Sequence, residues 1–95
     1  MGLERLRRHR REILDSAARH GVRHVRVFGS VARGDDHENS DVDFLVDVEP
    51  GRTLLDVIAF EQDVQQLLGR HVDVLTDGGL SPYLQHRILA EAASL

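Results

Sequence analysis

Three aspartates and a glycine–serine pair supply the residue types in this chain best suited to chemistry. Asp41 and Asp43 stand two apart where the apolar run Val42–Val48 begins. On an extended strand, side chains at i and i+2 leave the same face with Cα atoms about 6.5–7 Å apart, so both carboxylates reach one or two divalent cations. Oxygen-only ligation favours Mg²⁺ or Mn²⁺ over zinc. Asp73 interrupts a second short run, His71–Leu75, opposite Val72 and Val74. If the two strands pair in parallel, it becomes a third carboxylate on the same face. Asp41, Asp43 and Asp73 are then metal-ligand candidates in a two-metal clamp for in-line displacement at phosphorus.

Gly29-Ser30 ends an earlier apolar run and supplies an anion site. A glycine there lets the backbone approach a ligand closely, and a helix starting at that point aims free N–H groups and its positive end at a phosphate. The Ser30 hydroxyl can donate to the same phosphate. Arg33, one helical turn on, has two partners open to it: phosphate oxygens as leaving charge develops, or the carboxylates of the following acidic loop. The six histidines show no paired spacing typical of a metal site and read as surface or loop residues.

The elements that must hold these groups follow from periodicity. Leu3, Leu6, Arg10, Ile13, Leu14, Ala17 and Ala18 repeat near 3.6 residues and predict one helix over Leu3–His20, stopped by Gly21. Val22–Phe28 is rich in β-branched residues and predicts a strand. Val31–Arg33 predicts a helical turn, Gly34–Ser40 a polar loop, and Val42–Val48 a strand with Val42, Phe44, Val46 and Val48 on one face and Asp41, Asp43, Leu45 and Asp47 on the other. Thr53–Leu68 predicts an amphipathic helix with Leu54, Val57, Ile58, Val64, Leu67 and Leu68 on one side. Glu61 projects into that stripe, as an edge position or an arginine partner, with orientation of an active-site group as the functional alternative. His71–Leu75 predicts a third strand, and Ser81-Pro82 an N-cap with proline at the first position of a last helix that reaches the terminus through Leu84, Ile88, Ala92 and Leu95. The order is α-β-(short α)-β-α-β-α. The crossover between the second and third strands is long enough for a parallel βαβ unit, so an α/β fold is expected: a small mixed sheet with helices packed on one face and the aspartate face open.

Composition narrows the function further. Ninety-five residues support one domain, 1–95, with no length for a separate substrate domain. There is no cysteine, which excludes disulfides and thiolate metal sites. No apolar stretch approaches a membrane span and the charged amino terminus does not resemble a signal peptide, so a cytoplasmic location and no membrane partner are expected. The net charge of −4 conceals an arginine cluster at Arg5–Arg11 and seven acids between Asp35 and Glu49. Without aromatic stacking partners nearby, the cluster reads as a solvated helix face, not a nucleic-acid surface.

The stretch GSVARGDDHENSDVDFLV resembles the signature of the DNA polymerase β-like nucleotidyltransferase superfamily: Gly29-Ser30, ten residues, then Asp41-Val42-Asp43. HVDVLT, with Asp73, is similar to that superfamily's third carboxylate strand. In length and element order the chain resembles the minimal nucleotidyltransferase (MNT) antitoxins that pair with HEPN-domain ribonuclease toxins. The resemblance implies a polymerase β palm-like nucleotidyltransferase fold and transfer of AMP from MgATP to a tyrosine hydroxyl of the partner toxin, with release of pyrophosphate. It further implies that Gly29 and Ser30 hold the triphosphate, that Asp41 and Asp43 ligate the metals, and that Asp73 ligates the catalytic metal and helps deprotonate the attacking hydroxyl. Two other readings are open. A binder would neutralise a toxin by stoichiometric contact, although binding gives no physical need for three in-phase aspartates facing solvent. Transfer to an antibiotic hydroxyl would need the substrate domain that this length does not accommodate.

Overall fold

The computed structural model describes residues 1–37, 39–79 and 81–95; Glu38, within the expected polar loop, lies outside them. In chain order the elements are α1 (Leu3–Arg7), α2 (Arg10–Arg19), β1 (Val22–Phe28), α3 (Gly29–Arg33), β2 (Val42–Val48), α4 (Leu54–Leu68), β3 (Val72–Thr76), a 3₁₀ turn (Asp77–Gly79), α5 (Pro82–Glu91) and β4 (Ala93–Ser94). The sheet order is β3-β2-β1-β4, with β2 and β3 parallel and β1 antiparallel to both β2 and β4.

Alternation along β2 decides which face becomes the core. Val42, Phe44 and Val46 are fully buried, and α2 and α4 cover them with Ile13, Ala17, Phe60 and Val64. Phe44 and Phe60 meet edge to face with ring centroids 6.3 Å apart. The buried stripe of α4 is Val57, Phe60 and Val64, not the broader set predicted: Leu54 is 70% exposed, and Ile58 and Leu67 are 37% exposed. Glu61 is only partly buried and pairs with none of the described residues.

Two expected helices differ in the structure. The first divides at Arg8-His9, where N–H donors reach carbonyls three residues back, and nothing in the local sequence marks the break. The separate α1 places Arg7 against the carboxyl end, where its guanidinium donates to Ser94 O at 2.7 Å and Leu95 O at 3.3 Å. The last helix stops at Glu91 instead of running to the terminus. Ala93 and Ser94 pair with Val27 and Arg26 as a fourth strand, and Leu95 enters the core. The helical period through Ala92 and Leu95 was a coincidence of spacing, overruled by the open edge of β1.

β1 carries a bulge between Arg23 and Arg26, with His24 at φ 53°. The extra residue rephases the strand, so Val25, Arg26 and Val27 are all buried in succession. Arg26 pairs on the opposite face with Asp47 (3.3 Å) and Asp77 (3.9 Å). Its register partner Leu45 is fully buried too, so the aspartate face is closed over β1 and β2 at its middle, and Asp41, Asp43 and Asp73 stand at one end of it.

Polar pins complete the frame. Ser16 donates to Asp63 at 2.9 Å and His20 contacts the same carboxylate at 3.1 Å, fastening α2 to α4 and holding Asp63 below the usual carboxylate range. Arg70 donates to the carbonyls of His37 and Ser40, and the Met1 amino group pairs with Asp36 at 2.6 Å, fixing the loop that leads to Asp41. A depressed carboxyl pKa adds stability above the unfolded value of about 3.9 that is lost as pH falls through the folded value. Acid unfolding followed by circular dichroism is therefore expected to show a weaker pH dependence below about pH 4 in Asp63→Asn than in wild type. Urea unfolding is expected to show a loss of about 3–5 kcal/mol for Phe60→Ala, against less than about 0.5 for the exposed Leu55→Ala.

Candidate active site

The parallel pairing of β2 with β3 builds the open end of the sheet. Asp43 is the register partner of Asp73, and Val42 that of Val72. His71 therefore lies opposite Asp41, where its carbonyl accepts from Val42 N at 3.0 Å. Four polar side chains share one face on two successive rungs: Asp41 with His71, and Asp43 with Asp73. His71 Nδ1 is 3.1 Å from Asp41 Oδ1 and 3.9 Å from Asp73 Oδ1. One ligand atom from each of Asp41, His71 and Asp73 falls within 4.8 Å of the other two.

Asp43 occupies the inner corner. Burial pushes its carboxyl up to about 6, and the charges of Asp73 and Asp41 push in the same direction, while Arg33 opposes them. Phe28 is its partner on β1, and the chain turns at Gly29, where φ is 74°. A Cβ on Gly29 would collide with Asp43 Oδ2, so glycine is required there both by the left-handed backbone and by the close carboxylate. Ser30 follows at the start of α3, partly buried, its hydroxyl without a partner among the described residues. Gly29, Ser30 and Asp43 thus meet where β1 ends.

Arg33 takes the carboxylate option. Its guanidinium pairs with Asp35 at 3.2 Å and with Glu91 of α5, and both raise its pKa above the ordinary value. Glu91 carries no local signal of this pairing, because only the fold of α5 back over α3 brings it near. His71 is exposed, as expected of the histidines, yet it stands beside Asp41 and Asp73, a neighbourhood that its lack of paired spacing with another histidine did not suggest. The available signal was its phase: it stands two residues before Asp73, and parallel pairing sets it across from Asp41.

This donor set fits divalent cations. Asp41 and Asp73 bring ligand atoms within 4.8 Å of each other, Asp43 is the register partner of Asp73, and burial together with these neighbouring charges disfavours its ionised form, a cost that a hard cation would relieve.

The nucleotidyltransferase domain family profile matches residues 6–94. The chain belongs to the nucleotidyltransferase domain family. This nucleotidyltransferase is 40% identical over 83 residues to protein adenylyltransferase MntA of Thermococcus cleftensis, a match spanning 87% of this chain and 81% of the relative. It is also 40% identical over 86 residues to a Methanocaldococcus jannaschii protein that carries the provisional name protein adenylyltransferase, covering 90% and 92% of the two chains. A solved structure provisionally named a minimal nucleotidyltransferase superposes with a TM-score of 0.89 at 49% identity, over 100% of this chain and 97% of that one. A chain of a toxin–antitoxin complex solved with AMP-PNP shares the fold, with a TM-score of 0.76 at 20% identity over 88% of this chain and 69% of that one. Among the described residues no helix of the nucleotidyltransferase is long and apolar enough to cross a membrane.

The raised Asp43 carboxyl has a consequence for stability. The folded state holds this proton more tightly than the unfolded chain between the ordinary value of 3.8 and about 6, so stability falls as pH rises through that window. In the presence of EDTA, Asp43→Asn is expected to raise the thermal midpoint at about pH 7.5 and to leave it unchanged near pH 4, as measured by differential scanning calorimetry. An equal effect at both pH values would refute a carboxyl raised by burial and, after it, by the charges of Asp73 and Asp41.

Proposed function

We propose that this nucleotidyltransferase is a single-domain antitoxin, residues 1–95, that moves AMP from MgATP to a tyrosine hydroxyl of a cognate HEPN ribonuclease toxin in the cytoplasm and so neutralises it. The observation that carries the reading is the register pair Asp43–Asp73, with Gly29 closed against Asp43. The names of the relatives at 40% identity support protein adenylylation. The shared fold of the AMP-PNP toxin–antitoxin complex agrees with a toxin partner and an ATP-like substrate.

In this reading the backbone at Gly29 and the free Ser30 hydroxyl grip the triphosphate, which fixes the α-phosphorus at the aspartate corner. Asp41, Asp43 and Asp73 would hold two Mg²⁺ or Mn²⁺ ions, whose positive charge lowers the barrier to attack at phosphorus. The tyrosine oxygen forms a bond to the α-phosphorus as the bond to the bridging oxygen breaks. Pyrophosphate departs with that electron pair, and the hydroxyl proton passes to Asp73. Arg33, beside the Gly29-Ser30 turn, can exchange its carboxylate partners for phosphate oxygens because its pairing is exposed.

A non-catalytic antitoxin that acts by stoichiometric contact is the second reading. It is favoured by α5, which has no buried residue and leaves Tyr83 78% exposed and Leu84 46% exposed, a surface suited to a partner. The double variant Asp41→Asn/Asp43→Asn separates the two. Loss of protection from the toxin in cells is expected for catalysis, and full protection would establish the binder. With purified protein, labelled ATP and Mg²⁺, the toxin is expected to acquire label, and Asp43→Asn to reduce the rate by about 10²-fold or more. A folded toxin that stays unlabelled would overturn the adenylylation reading.

A further inference from the structure

We infer that His71 is a nitrogen donor to a divalent cation shared with Asp41 and Asp73, and that it shifts the site's preference from Mg²⁺ toward first-row transition ions such as Mn²⁺. This deepens the metal-assisted reading above and rests on it. The three aspartates alone make an oxygen-only set, the kind that suits Mg²⁺. The fourth corner of the two-rung square changes its chemistry.

His71 earns this assignment by position. Parallel pairing seats it across from Asp41, one rung before Asp73, and its Nδ1 stands 3.1 Å from one carboxylate oxygen and 3.9 Å from the other. Among the described residues these two aspartates are its only side-chain partners. The three ligand atoms lie within 4.8 Å of one another. Donors around an octahedral ion with bonds of about 2.1–2.2 Å stand roughly 3.0 Å apart when adjacent and 4.3 Å when opposite, so small side-chain rotations bring all three onto one ion. With the ion in place, the nitrogen lone pair replaces a water that an all-carboxylate site would retain. Mg²⁺ gives up water reluctantly and gains little from nitrogen, whereas transition ions accept imidazole readily. His71 is 60% exposed, so removing it leaves the core intact.

Electron spin-echo envelope modulation of Mn²⁺ bound to the wild-type protein at about pH 8 reads direct nitrogen ligation, and the free Mn²⁺ signal under Mg²⁺ competition reads preference. A nitrogen coupling that changes on ¹⁵N-histidine labelling and vanishes in His71→Ala is expected, together with about a tenfold fall in preference for Mn²⁺ over Mg²⁺. Bound Mn²⁺ without nitrogen coupling, coupling that survives in His71→Ala, or an unchanged preference would overturn this inference and leave the adenylylation reading standing. Failure of Mn²⁺ to bind wild type with or without ATP would overturn both. The wild-type spectrum alone decides ligation, whatever the fate of the variant.

Discussion

Asp43 and Asp73 face each other across the parallel β2–β3 ladder, and Asp41 stands one rung away on the same side. Hydrogen bonding along the backbone forces these like charges together, because the register is set by the valines on the opposite face. Shifting either strand by one residue would relieve the repulsion and expose Val42, Phe44 and Val46, or Val72 and Val74, to water. Burial of those side chains outweighs the repulsion. The apolar face thereby holds the polar face in an arrangement that carboxylates alone would not adopt, and a cation is the natural partner for it.

The same logic explains where the rest of the small core is spent. α2 and α4 are joined by Ser16, His20 and Asp63 on their outer side and by Ile13, Phe60 and Val64 within, which leaves the sheet one covered face. On the other face, Arg26 and Leu45 close the centre, with Asp47 and Asp77 compensating the buried guanidinium. At the end beyond Phe28, Gly29 removes the side chain that would otherwise strike Asp43. Rigidity behind the site and access in front of it come from opposite faces of one ladder.

The order of strands and helices was legible because β-branched alternation in Val22–Phe28 and Val42–Val48, and the Gly69 and Ser81-Pro82 caps, are local signals. The spacing of Gly29-Ser30 and Asp41-Val42-Asp43 foretold which residues the fold would gather at one end of the sheet. What escaped notice depends on tertiary neighbours. β4 forms because β1 presents an unpaired edge, the break at Arg8-His9 has no local breaker residue, and Phe60, not Leu54, lies in the buried stripe of α4, where its ring meets Phe44. His71 became meaningful only once the parallel register was known, and Glu91 only once α5 was seen to return to Arg33.

A buried carboxyl crowded by its neighbours on the ladder and relieved by a cation is tested most directly by ¹³C NMR titration of the Asp43 carboxyl carbon, with and without Mg²⁺ or Mg²⁺-ATP. The expected result is a metal-free midpoint near the value of about 6 that burial, Asp73 and Asp41 impose, and a marked fall when the cation binds. An ordinary aspartate midpoint near 3.9, unmoved by the cation, would contradict the account.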